Sequence, residues 1–283
     1  MKIGLVLEGG GMRGLYTAGV LDVLARENLH FSTVYAISAG ACNALSFLSG
    51  QIGRNREIFA QYLPDKRYVS AGNLLRCGSM FGFDFIFGPL FHELLPFDYE
   101  AFFQNPTDLQ AGATDLATGK AVFFSKKELG PGMEAVRASS AQPFLAHPIR
   151  YGGRRLLDGS VAQAIPLRRA EEDGSLRNLV VLTRDDSYRK PEKPEYPRAV
   201  IRARYWRYPD FAQALCRRGQ VYNQLRRECL EREGAGRAIV IRPSRPITVS
   251  AFCRDPSQLM ELYAMGEQDT AARLAEIKEF VTL

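Results

Sequence analysis

The chain has 283 residues, 46% hydrophobic and 24% charged, with a net charge of +6 and an isoelectric point near 9.1. That balance excludes intrinsic disorder, collagen-like repeats and coiled coil, and suits one large α/β domain or two small ones. Five cysteines, none in a C-x-x-C pair, give no basis for a zinc ribbon or a thioredoxin-like redox site, so neither metal nor cofactor is expected.

In chain order, Ile3–Leu7 reads as a buried strand that stops at Glu8, too short an apolar run for a secretory signal. No segment approaches the roughly 20 apolar residues of a membrane-spanning helix, and the expectation is a reduced, cytoplasmic protein. Residues 14–27 carry Leu15, Ala18, Val20, Leu21 and Leu24 at helical spacing. Thr33–Ile37 reads as a second buried strand and Ala39–Leu48 as a second helix, which completes a βαβ unit with parallel strands. Residues 109–115 and 120–125 predict a hairpin around Ala117-Thr118-Gly119, residues 132–140 a helix, and residues 149–157 and 179–183 further strands. Residues 185–198, charged and rich in proline, predict an exposed loop. Long helices over residues 210–233 and 256–281 flank a strand at Ala238–Ile241. The alternation predicts a three-layer α/β/α sandwich with a mostly parallel central sheet. No linker is visible, so residues 1–283 are expected to form one domain, with an insertion at about 65–105 and a helical C-terminal part from about 199.

The aromatic stretch 80–103 stands apart, with Phe81, Phe83, Phe85, Phe87 and Phe91 interrupted by Gly82, Gly88 and Pro89. It predicts a loop-rich subdomain that either plugs one end of the core or serves as an acyl-chain pocket or lid. The arginines of residues 210–233 (Arg217, Arg218, Arg226, Arg227 and Arg232) read first as a solvated helix face, and second as weak attraction to an anionic membrane surface. No nucleic-acid-binding motif accompanies them.

Gly9, Gly10, Gly11, Met12, Arg13 and Gly14 satisfy G-x-G-x-x-G between a strand and a helix. One reading is dinucleotide binding, which also wants an acid at the end of the second strand; that strand ends in Ala36-Ile37-Ser38, without one. The other reading is an oxyanion hole of backbone N–H groups, where a single donor is worth about 3 kcal/mol in the transition state. Arg13 would add positive charge there or act as a surface cap. In Ala36-Ile37-Ser38-Ala39-Gly40 the small residues two before and two after the serine suit a strained strand-to-helix elbow. Both loops leave the carboxyl ends of strands in one βαβ unit, so a carbonyl attacked by Ser38 would reach the glycine amides. None of the three histidines (His30, His92, His147) fits the chain order of a conventional triad. Asp158, in Leu157-Asp158-Gly159-Ser160, ends a predicted strand and offers a carboxylate to accept the Ser38 proton.

This set of motifs resembles the patatin-like phospholipase family, whose hallmarks are a glycine-rich oxyanion segment, a G-x-S-x-G elbow and an Asp-Gly-Gly/Ala motif. They correspond here to residues 9–14, to Ala36, Ser38 and Gly40, and to Asp158, Gly159 and Ser160; residues 138–143 resemble a further family segment. Order and spacing match across about residues 3–185. Ala36 replaces the elbow glycine and Ser160 the usual Gly or Ala, both with small residues. The resemblance implies metal-independent hydrolysis of lipid acyl esters by a Ser38–Asp158 dyad through an acyl-serine intermediate. Phospholipid or lysophospholipid is the expected substrate, with peripheral contact at an anionic inner-membrane surface. A general short-chain esterase, or a lipid-binding or regulatory protein with little turnover, are the alternatives.

Overall fold

The computed structural model describes residues 2–282; Met1 and Leu283, the two ends of the expected single domain, lie outside the described residues. Among the described residues, eight strands form one mixed sheet. They are β1 (Ile3–Leu7), β2 (Thr33–Ile37), β3 (Asp108–Asp115), β4 (Ala121–Phe124), β5 (Ile149–Tyr151), β6 (Arg154–Asp158), β7 (Arg177–Val181) and β8 (Ala238–Ile241). The parallel core runs β3-β2-β1-β7-β8, while β4 and β6 pair antiparallel with β3, and β5 with β6.

Alternation along the strands sorts side chains to the two faces. Leu5 and Leu7 of β1 join Leu179 and Val181 of β7 in one core, whereas Val6 joins Val180 and Val240 in another. The first face is covered by α1 (Gly14–Arg26), α2 (Ala39–Leu48), the aromatic segment and the helix Pro256–Ala272. The second is covered by the helix Pro209–Gly234, through Tyr222, Leu225 and Cys229. A parallel strand buried on both faces reads as an unbroken apolar run, which is why β1 and β2 are legible in the sequence. The helix Pro256–Ala272 lies unusually close to α1: a Cβ on Gly19 would sit 2.1 Å from the Tyr263 carbonyl oxygen, and one on Gly266 2.1 Å from that of Tyr16.

The register on β3 places the site. Ile37 of β2 lies opposite Gly112, and Asp158 of β6 lies opposite Ala113. Gly112 and Ala113 both pair with β4 as well, so β4 fills one edge of β3 and β2 and β6 share the other end to end. The chain leaving β2 therefore meets the end of β6 head-on.

Three elements differ from expectation. The predicted strand within residues 149–157 is a tight hairpin, β5 and β6, turning at Gly152 and Gly153, which both have positive φ (55° and 72°). The predicted helix 256–281 is two helices, Pro256–Ala272 and Leu274–Thr282, broken at Arg273. The aromatic stretch is helical rather than loop-rich. Ser70 caps Ala71–Cys77, Asp98 caps Tyr99–Gln104, and between them Phe83–Phe85 runs into a π-helix, Ile86–Leu94. Pro89 supplies no N–H and Gly88 departs from helical geometry (φ −111°, ψ −108°), so the helix is kinked there and resumes beyond it.

Candidate active site

Ser38 sits at the junction of β2 and α2 with φ 55° and ψ −122°, a conformation that costs a serine about 1–3 kcal/mol. Ser139 holds it there: its Oγ accepts the Ser38 N–H at 2.7 Å and donates to the Gly112 carbonyl at 2.6 Å. A Cβ on Gly40 would lie 2.9 Å from both Cβ and O of Leu7, so the elbow closes onto β1 only with glycine two residues after the serine. Ala36, on the other side, is fully buried.

The head-on meeting of β2 and β6 brings the two catalytic candidates together. Ser38 Oγ donates to Asp158 Oδ2 at 3.0 Å, with both residues buried. Asp158 Oδ1 accepts the Ser160 N–H at 2.8 Å, and the Asp158 carbonyl accepts from Thr114 Oγ1 at 2.9 Å. Ser160 in turn accepts from Arg218, Oγ from Nη2 at 2.7 Å and carbonyl from Nε at 3.2 Å. The hydroxyl that departs from the Asp-Gly-Gly/Ala pattern thus ties the aspartate turn to the helix Pro209–Gly234. The histidines His30, His92 and His147 are all exposed, and none lines either cavity at Ser38.

Within the glycine run the N–H groups divide. Those of Gly9 and Met12 are committed to the carbonyls of Ala164 (3.2 Å) and Ala251 (3.1 Å), and that of Gly14 turns back to Gly11 and Met12. The N–H groups of Gly10 and Gly11 find no acceptor among the described residues. Gly11 adopts φ 59°, and a Cβ there would lie 2.6 Å from the Ala251 carbonyl oxygen. Glu8 anchors the run by accepting the Thr183 N–H at 2.6 Å. Burial pushes its carboxyl up, against the Thr183 N–H and nearby cations that pull it down. Burial also pushes the Arg13 guanidinium down, and the neighbouring Arg184 charge adds to that.

Two cavities meet at Ser38 and share Gly11 and Gln142. The smaller, about 90 Å³, is an apolar slot lined by Phe81, Phe83, Phe87 and Phe91. Phe85 does not line it; its ring packs against Tyr62 and beneath Arg67. Phe87 and Phe91 are buried and continue through ring contacts to Phe97 and Phe102, so this wall of the slot belongs to the core. The larger cavity, about 620 Å³, is a chamber of mixed polar and apolar lining bounded by the glycine run, Asp158 and the Pro-rich segment. That segment is therefore more than an exposed loop. Asn223 pairs with both the N–H and the carbonyl of Lys190, and Gly219 lets the Pro191 carbonyl approach the helix Pro209–Gly234.

Ser139 is foreshadowed in the sequence only by the resemblance of residues 138–143 to a family segment, Arg218 only as one of several helix arginines, and Arg184 and Lys190 by nothing. The arginines of the helix Pro209–Gly234 are not a uniform solvated face. Arg218 holds Ser160, Arg226 is buried with its guanidinium on the Asp185 carbonyl, and Arg232 pairs with Glu171 at 2.6 Å. The exposed basic strip lies nearby instead, at Arg202, Arg204 and Arg207 around Trp206, which is 69% exposed. Among the described residues, no helix is long and apolar enough to cross a membrane.

A family model described as Patatin-like phospholipase matches residues 5–171, and a Domain of unknown function (DUF6363) matches residues 208–282. An uncharacterized protein of Escherichia coli K12, YjjU, is 27% identical over 196 residues, covering 64% of this chain and 52% of that one. An uncharacterized NTE family protein of Mycobacterium tuberculosis is 29% identical, covering 59% and 44%. Lysophospholipase NTE1 of Cryptococcus neoformans is 26% identical, covering 64% of this chain and 11% of its own. The chain thus spans about half the length, or less, of these relatives. Among solved structures, VipD of Legionella pneumophila aligns with a TM-score of 0.48 at 15% identity, over 97% of this chain and 67% of that one.

Proposed function

The chain belongs to the patatin-like phospholipase family, and from that premise we propose that it is a serine acyl hydrolase of lipid carboxylic esters, acting through Ser38 and Asp158. The observation that carries the reading is the 3.0 Å bond from Ser38 Oγ to Asp158 Oδ2, beside the uncommitted N–H groups of Gly10 and Gly11.

In this mechanism the acyl chain enters the aromatic slot and the alcohol part lies in the larger chamber. Ser38 Oγ attacks the ester carbonyl carbon while Asp158 takes its proton, and the Gly10 and Gly11 amides receive the developing oxyanion. Collapse breaks the bond to the alcohol oxygen, which leaves with the proton from Asp158. Water then attacks the acyl-Ser38 carbonyl, giving its proton to Asp158 and on to Ser38 Oγ as the fatty acid departs. Phospholipid or lysophospholipid is the proposed substrate, because the slot is apolar and the chamber cationic. Peripheral contact with an anionic bilayer is proposed for the strip around Trp206, where an aromatic ring sits among arginines.

The test is fluorophosphonate labelling with the modified peptide mapped by mass spectrometry. An adduct on Ser38, its rate lowered about 100-fold or more in Asp158→Asn, is expected from the loss of a general base. A folded protein that takes up no label, or an Asp158→Asn variant that labels as fast as wild type, refutes the dyad.

A further inference from the structure

The chamber on the far side of Ser38 from the aromatic slot has an unusual charge arrangement. Arg13 reaches it from the glycine run, Arg184 from just beyond β7, and Lys190 from the Pro-rich segment. Among the described residues none of the three forms an ion pair. The carboxylates on the same wall have other work: Glu8 holds the Thr183 N–H, Asp158 holds Ser38, and Glu195 faces Arg218 at 3.6 Å. Unpartnered donors face the same region. Arg13 Nε and Arg184 Nε are buried without a hydrogen-bond partner, whereas the Tyr222 hydroxyl lies beside the Glu8 carboxylate.

Glu8 and Glu195 offset part of this charge, but crowding three cations beside carboxylates that are held elsewhere is unfavourable, and so is burying donors without acceptors. Both costs vanish if an anion with several acceptor oxygens occupies the chamber, and a phosphate group has that chemistry. Two of the aromatic rings that line the chamber, Tyr188 and Tyr222, bear on what accompanies the phosphate. The Arg184 guanidinium already covers Tyr188 at 4.2 Å, and Lys190 Nζ lies 5.6 Å from the Tyr222 ring centre. Those faces are thus closed to a quaternary ammonium, which would also meet the charges of Arg13 and Arg184.

We propose that the chamber is a headgroup subsite in which Arg13, Arg184 and Lys190 bind the phosphate of a lipid with a net-anionic phosphodiester headgroup, such as a glycerol phosphodiester, in preference to a choline headgroup. The proposal rests on the acyl-hydrolase reading for its orientation, since Ser38 lies between this chamber and the acyl slot.

The test has a binding arm and a kinetic arm. Calorimetric titrations of the whole protein use glycerophosphoglycerol, glycerophosphocholine and inorganic phosphate, none of which carries an ester for Ser38 to cleave. Glycerophosphoglycerol is expected to bind about tenfold or more tightly than glycerophosphocholine, with Arg184→Gln and Lys190→Gln each weakening it about tenfold or more and Lys190→Arg restoring it. Equal binding of the two diesters, or tighter binding of inorganic phosphate than of either, overturns the headgroup assignment. In the kinetic arm, the kcat/KM ratio for lysophosphatidylglycerol over monoacylglycerol is expected to fall in Arg184→Gln and Lys190→Gln. A wild type that binds the diester but cleaves neither lipid would sink the hydrolase reading and leave the subsite standing. A wild type that cleaves both at a ratio unmoved by the variants would sink the subsite and leave the hydrolase.

Discussion

Ser139→Ala is the perturbation that separates the architecture of the elbow from its chemistry. Ser139 touches no substrate; its hydroxyl links the Ser38 N–H to the Gly112 carbonyl in a place with no solvent exposure. Alanine leaves one buried donor and one buried acceptor unpaired, at about 1–3 kcal/mol each, or about 2–6 kcal/mol together. With an unfolding entropy of about 2.1 cal/mol/K per residue, a chain of 283 residues loses about 1 °C of melting temperature for each 0.6 kcal/mol, so the expected fall is about 3–10 °C. The same bond holds Ser38 at its positive φ. If the elbow relaxes by the about 1–3 kcal/mol stored there, the reactive conformer becomes about 5- to 150-fold rarer. Differential scanning calorimetry reads the first quantity, and the fluorophosphonate labelling rate of the still-folded variant reads the second. A variant that melts and labels like wild type would falsify the claim that Ser139 positions the nucleophile.

Three further outcomes are expected. Phe81→Ala opens the slot where its ring meets Phe252 at 6.1 Å; kcat/KM for dodecanoyl esters should fall about tenfold relative to butyryl esters, and an unchanged ratio would remove Phe81 from the acyl wall. Lys190 is pushed down to about 8, first by burial and then by the charges of Arg218 and Arg13, against Glu195 and Glu8. Its positive charge is present below that pH and lost above it, so glycerophosphoglycerol affinity should decline as pH rises through about 8, and Lys190→Arg should flatten the profile. At the exposed strip, removing Arg202 and Arg204 together should weaken binding to anionic vesicles by about 2 kcal/mol, roughly 30-fold, while neutral vesicles show no difference; equal loss on both vesicle types contradicts an electrostatic contact.

Much of the site is local, and that is why the sequence reveals it. The order apolar strand, glycines, helix, strand, serine is a single βαβ unit, so the placement of Ser38 beside the glycine run needs nothing from the rest of the chain. Asp158 is legible as the end of a strand. Its arrival at Ser38 depends on β2 and β6 sharing one edge of β3, a register set by residues far from either. Ser139 carries no charge or spacing signal, and its role appears only when Gly112 and Ser38 come within reach of one hydroxyl. Lys190 was hidden by its composition: a Pro-rich, charged segment reads as solvated until Asn223 and Gly219 draw it onto a helix. The aromatic stretch misled for the opposite reason, because Gly88 and Pro89 kink the helix without turning the segment into a loop.

The reciprocal contact of Gly19 and Gly266 bears on how this protein can change. The two family models leave a border between residues 171 and 208, yet the two matched stretches share one sheet and pack on each other. The later segment supplies β8, the carbonyl of Ala251 that fixes the Met12 amide, and a helix pressed backbone to backbone on α1. Two pieces separated at that border would each expose half of a shared interior, so they should regain a reactive Ser38 only when mixed, as a split reporter does. A recombination event joining the first piece to a foreign second piece would succeed only if the newcomer brought its own glycine to the crossing.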